Sequence, residues 1–124
     1  AEVADELVER YSEELRAVGE ALAEPHVVTY TPTMEPAAEF MALGLCRGSA
    51  VLAELPLAHL YVGRLFSRVL AFTTEVETYT LRYYMSRVVE RGGRVSEVRL
   101  RTDPLTAPIY AMILLYYVAK GWTR

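Results

Sequence analysis

The chain contains no asparagine and no glutamine, one cysteine, one lysine and two histidines. Each shortage excludes something. A single cysteine, Cys46, cannot form an internal disulfide, and its apolar neighbours predict a buried, inert thiol. His26 and His59 stand alone: no second histidine, cysteine or carboxylate cluster lies at metal-ligand spacing, so no metal site and no cofactor are expected. The five serines lack a G-x-S-x-G setting, and neither a phosphate-binding P-loop nor a dinucleotide fingerprint is present. A non-enzymatic protein without a small-molecule substrate is the expectation. The longest apolar stretch, Ile109 to Ala119, falls well short of the ~20 residues of a membrane-spanning helix. The opening residues are acidic and polar, so no signal peptide is expected.

The missing amides and the twelve arginines against one lysine point to a source from a hot habitat. They also remove the residues that read adenine in the major groove, which disfavours sequence-specific DNA recognition.

What is present is a division of charge. Residues 1–54 hold eleven acids and three bases, a net of −8, whereas residues 55–124 hold ten bases and five acids, a net of +5. Such asymmetry points to a strongly charged partner, either nucleic acid or a second subunit. The arginines of the second half are the candidate contacts: Arg64, Arg68, Arg82, Arg87, Arg91, Arg94, Arg99 and Arg101. Guanidinium groups match phosphate oxygens, and without amides they suit backbone binding better than base reading. The competing reading pairs them with the glutamates of a solvated surface. The nine tyrosines could stack on bases, but at helical spacing they read more readily as core and interface.

Hydrophobic spacing predicts a mostly α-helical chain of four to five helices, with a short two-stranded β element as an option. Val3, Leu7, Tyr11, Leu15, Val18 and Leu22 form one stripe of an acidic amphipathic helix over residues 3–23, which Pro25 ends. His26–Thr31 reads as a strand or an extended linker. A short helix follows from Pro36 to about Leu45. Helical spacing resumes over 57–72 and, after a Thr74–Glu77 capping box, continues to the stop at Gly92-Gly93. Residues 94–101 alternate as a strand that could pair with 26–31. The last helix ends at Lys120-Gly121 and is apolar almost all round, so it belongs in the core or between subunits. The expected interface residues are Leu7, Tyr11, Leu15, Ile113, Tyr116 and Tyr117. One domain over 1–124 is expected, an acidic N-terminal helix (1–24) and a helical core (25–124).

This order of features, with Arg10-Tyr11 in the first helix, Pro25 closing it, Pro36 opening the short helix, then Tyr61-Val62-Gly63 and Leu81-Arg82-Tyr83-Tyr84, resembles the major capsid proteins of filamentous double-stranded DNA viruses of hyperthermophilic archaea (rudivirus, lipothrixvirus and tristromavirus type). The resemblance implies a helical coat subunit that wraps double-stranded DNA, in A-form, without sequence preference. It would assemble into a nucleocapsid filament with itself or a more basic paralogous coat protein. Its location would be the virion, and the host cytoplasm during assembly, with or without an outer envelope. Relatives of this type have a basic N-terminal arm. Here that arm is acidic, which moves DNA contact to the arginines of 64–101, with Arg10 and Arg16 secondary. The alternatives are the small helical subunit of an archaeal CRISPR effector complex, and an oligomeric scaffold whose arginines meet only glutamates.

Overall fold

In the computed structural model, which describes residues 2–63 and 65–121, the chain is an α/β protein and not a mostly helical bundle. Four parallel strands form one sheet: β1 (His26–Tyr30), β2 (Ala50–Leu52), β3 (Arg68–Thr74) and β4 (Arg94–Leu100), in the order β2-β1-β3-β4. The helices are α1 (Glu2–Arg10), α2 (Ser12–Leu22), α3 (Glu35–Glu39), α4 (Thr78–Glu90) and α5 (Ala107–Ala119). A wider π-type turn, Phe40–Leu45, prolongs α3, and a 3-10 helix, Leu55–Tyr61, lies between β2 and β3.

Strands buried on both faces lose the polar alternation that marks a half-exposed strand. In β3 every residue from Val69 to Thr74 is buried. Val69 and Ala71 pack with Leu81, Met85 and Val88 of α4, while Leu70 and Phe72 pack with α2, α3 and α5 on the opposite face. A short apolar run of this kind reads equally well as part of a helix, which is why helical spacing over 57–72 was misleading. Residues 25–124 hold the whole sheet, and not a helical core. The stretches 26–31 and 94–101 are extended as expected, but β3 lies between them: β1 pairs with β3 from Val27↔Val69 to Tyr30↔Phe72, and β3 with β4 from Arg68↔Arg94 to Thr74↔Leu100.

The first amphipathic stretch is two helices, broken at Tyr11 (φ −109°, ψ 30°). Tyr11 is fully buried, and its hydroxyl accepts the backbone N–H of Arg101 at 2.9 Å. The break lets α1 pack on α5 and α2 pack on β4. Leu7, Tyr11 and Leu15 therefore belong to this chain's own core, at 2% exposure or less, and present no face to another subunit. No helix among the described residues is long and apolar enough to cross a membrane.

A buried histidine makes this fold pH-sensitive. His26 opens β1 with its Nδ1 3.0 Å from the Glu24 carbonyl and its Nε2 3.7 Å from Cys46 Sγ. Burial pushes its pKa below the ordinary 6.5, chiefly by desolvating the imidazolium. The unfolded chain then binds more protons than the folded one just below pH 6.5, so stability falls as pH drops through that value. The melting temperature is expected to decrease from pH 7.5 to 5.5, and a His26→Gln variant to lose that part of the slope.

Candidate functional site

The strand order reverses at the centre of the sheet. From β1 the chain crosses to β2 on one side through α3, then returns past β1 to β3 by way of the 3-10 helix on the other face. Such reversals open a crevice outside the carboxyl ends of the two central strands, the usual place for ligands in open parallel sheets. Here both strands run directly into threonines. Tyr30 of β1 is followed by Thr31-Pro-Thr33, and β3 ends in Thr73-Thr74, with Glu77 in the turn before α4.

These side chains converge on one atom. Glu77 Oε1 accepts hydrogen bonds from Thr33 Oγ1 at 2.7 Å, Thr31 Oγ1 at 2.8 Å and Thr74 Oγ1 at 3.0 Å. A hydroxyl has one proton to give. Thr31 also lies 3.2 Å from Thr73 Oγ1 and 3.4 Å from the Phe72 carbonyl, but its shortest contact is to the carboxylate. Thr73 is 3.2 Å from the Thr74 carbonyl and can donate there. Thr31, Thr73 and Thr74 are fully buried and Glu77 is half-buried, so the cluster ties the carboxyl ends of β1 and β3 together beneath the surface. Among the described residues Glu77 Oε2 accepts no hydrogen bond. Two residues before Thr31, Thr29 buries a hydroxyl that has no partner among the described residues.

The Thr74–Glu77 spacing was expected to form a capping box. The two residues do meet, but side chain to side chain, and no side-chain cap is made to the backbone at Thr74. The sequence signal for the cluster is threonine at the end of both central strands, Thr31-Pro-Thr33 after β1 and Thr73-Thr74 closing β3, each followed by a helical turn.

Beside the cluster an open cavity of about 420 Å³ is lined by Tyr30, Glu35, Glu54, Leu55, Thr80 and Tyr84, together with Pro32 and Pro56. Its polar groups are acidic or hydroxylic. Desolvation raises the pKa of the Tyr30 hydroxyl, and the carboxylates of Glu35, Glu54 and Glu39 raise it further. The phenol therefore stays protonated and serves as a hydrogen-bond donor. No group of three His, Cys, Asp or Glu side chains among the described residues could hold a metal ion. Cys46 is buried with its thiol pushed up to about 11 by desolvation, which leaves it unreactive.

No protein-family model and no curated protein matches this chain. Function rests on the site itself.

The arginines are dispersed. Arg64 lies outside the described residues. Arg68, 13% exposed, has Nε 3.2 Å from Glu24 Oε1, close enough for ion pairing but not aligned as a hydrogen bond, and Arg94 reaches the same carboxylate at 3.7 Å. Arg99 pairs with Glu97 at 3.0 Å. Arg101 pairs with Glu14 at 2.9 Å, donates to the Arg10 carbonyl at 3.0 Å and lies 4.5 Å over the Tyr11 ring. The charge division is thus partly closed within the chain, through Glu14 and Glu24. Arg10 and Arg16 are exposed on the first two helices. Arg82, Arg87 and Arg91 are exposed on α4 or at its end, with no carboxylate partner among the described residues. Beside them stand Tyr79, 89% exposed, and Tyr83, 61% exposed, whose hydroxyl accepts from Arg87 at 3.1 Å. Of the expected interface residues, Tyr116 is exposed and Ile113 and Tyr117 are half-buried on α5.

Proposed function

We propose that this protein binds a small polyhydroxylated molecule, a sugar or sugar-like polyol, in the crevice at the carboxyl ends of β1 and β3. The observation that carries the reading is the convergence of Thr31, Thr33 and Thr74 on Glu77 where the strand order reverses. A polyol is matched by what lines the cavity. Its hydroxyls donate to the carboxylates of Glu35 and Glu54 and accept from the Tyr30 and Thr80 hydroxyls, its C–H face rests on Tyr84 and Leu55, and Glu77 stands beside the cavity. With three carboxylates at or beside the cavity, a net anion is disfavoured unless it displaces Glu77 from its threonines. Calorimetric titration against neutral sugars, polyols and their phosphates tests this. Binding of a neutral member, weakened at least tenfold by Glu54→Gln or Thr33→Val, supports the reading. Heat with none of the panel, or equal binding by the variants, contradicts it.

The coat-protein expectation loses the helical fold that the resemblance implied, but one observation favours a second reading, nucleic-acid binding. The outer face of α4 combines Tyr79, Tyr83, Arg82, Arg87 and Arg91, aromatic rings for stacking and guanidinium groups free of carboxylates. Three phosphate contacts on a single strand give a slope of log K against log salt of about −2. A flat dependence contradicts this reading.

A further inference from the structure

β4 is an edge strand with an unpaired side. It pairs only with β3, whereas β2, at the other edge of the sheet, is three residues long. In a parallel ladder alternate residues turn both backbone groups toward the same neighbour. The Arg94 N–H donates to the Ser67 carbonyl at 2.8 Å, so Arg94, Ser96, Val98 and Leu100 face β3, while Val95, Glu97 and Arg99 face away from it. The Arg101 N–H, next in the outward set, donates to the Tyr11 hydroxyl at 2.9 Å. The outward N–H and carbonyl groups of Val95, Glu97 and Arg99 have no such partner among the described residues.

The side chains of this edge select what can add to it. Edge strands are commonly guarded by charges that repel a further strand. Here both signs are present. Glu97 and Arg99 lie half-buried on one face of β4 and pair at 3.0 Å through Arg99 Nη2. Arg99 Nε is shielded from solvent and has no hydrogen-bond partner among the described residues. An antiparallel copy of β4 laid alongside forms a ladder only where outward residues face one another, so its register shifts in steps of two. With the centre at Val98, each Glu97 stands opposite the other copy's Arg99. With the centre one residue earlier Glu97 meets Glu97, and one residue later Arg99 meets Arg99. Opposite charges across the strands favour the first alignment, and like charges oppose the other two.

We infer that the partner of this edge is a second copy of the chain, its β4 antiparallel to the first about a two-fold axis at Val98. The two four-stranded sheets then run on as one. Glu97 of each copy and Arg99 of the other exchange both of their backbone N–H···O bonds, and Val98 sits at the axis as a pair without them. Arg99 Nε gains an acceptor in the other copy's Glu97, and the charges alternate in sign across the axis. A two-fold uses the same edge on both partners and closes the assembly at a dimer. So short a ladder gives a small interface and a weak dimer, with a Kd on the order of tens of micromolar. The proposal is independent of the crevice and its ligand.

Sedimentation equilibrium and residue-resolved amide hydrogen exchange across that concentration range test it. The natural chain is compared with Glu97→Arg, with Arg99→Glu and with the double variant that swaps the two charges. The expected results are a monomer–dimer equilibrium and several-fold slower exchange of the Glu97 and Arg99 amides at the upper end of the range. Each single variant associates at least tenfold more weakly alone, because it places like charges across the axis. Mixed, the two form a heterodimer, since both pairs are then opposite in sign. The double variant dimerises like the natural chain for the same reason. If circular dichroism shows that a single variant does not fold, the double variant, which keeps the pair within the strand, and the amide protection decide. A monomer at all concentrations overturns the proposal. So do a dimer that leaves the Glu97 and Arg99 amides unprotected, single variants that associate like the natural chain, and a folded double variant that stays monomeric.

Discussion

Replacing Glu77 with alanine is expected to remove ligand binding and to lower stability by about 2 kcal/mol or more, because it strips the acceptor from three hydroxyls at once. Two of the three donors, on Thr31 and Thr74, are fully buried and cannot turn to solvent. Thr31 recovers part of the loss through Thr73 Oγ1 at 3.2 Å or the Phe72 carbonyl at 3.4 Å. The urea midpoint should fall by roughly 1 M with an unchanged slope. Glu77→Gln is the informative partner. Its amide oxygen still accepts from the threonines, so stability should be largely kept, while a ligand that needs the carboxylate binds more weakly. Unchanged stability in Glu77→Ala would mean that the threonine cluster does not hold the ends of β1 and β3 together.

The second large effect is expected at Gly93, in the tight turn between α4 and β4. A Cβ there would lie 2.7 Å from Val62 Cγ1, 2.8 Å from Val88 Cγ1 and 3.1 Å from the Val88 carbonyl oxygen. Neither valine has room to yield: Val88 is fully buried in α4, and Val62 is buried where the loop after the 3-10 helix packs under it. The backbone is also tied, since the Gly93 N–H donates to the Val88 carbonyl at 2.9 Å. Gly93→Ala should therefore destabilise the protein by about 1–3 kcal/mol. Gly19 provides the contrast. It lies exposed within α2, with nothing within 4 Å of an added Cβ, and Gly19→Ala should stabilise by about 0.5–1 kcal/mol. Thermal melts of the two variants, moving in opposite directions, check both.

How legible the fold was depended on burial. Elements with one wet face declared themselves: the acid-and-leucine pattern of α2, the strand alternation of 94–101 and the stop at Gly92-Gly93 all match the structure. β3 did not, because a strand covered by helices on both faces has no polar side to reveal its period. β2, three residues long, is too short to leave a pattern. With two of the four strands hidden, the remaining two read as a minor pair, and the doubly wound sheet disappeared into a helical bundle.

The candidate site was hidden for a different reason. Thr74 and Glu77 have the spacing of a helix cap, and local reading stops there. What makes them a site is Thr31 and Thr33, more than forty residues away in sequence and brought to the same carboxylate by the pairing of β1 with β3. The arginines show the opposite case. Their number in the second half was plain, but their pairing was not: Glu14 meets Arg101, and Glu24 is shared by Arg68 and Arg94, once the chain folds. α5 was the clearest feature: thirteen residues without a charge placed it in the core or between subunits, and the structure buries one side of it and leaves the other along an open apolar groove.

The crevice reading is tested most directly by amide NMR during titration with the neutral sugar or polyol that binds best. The account predicts saturable shifts at Tyr30, Thr31, Thr33, Thr74, Glu77 and Thr80, with α5 and the outer face of α4 unmoved. Shifts confined to α4 or α5, or none at the carboxyl ends of β1 and β3, would contradict it.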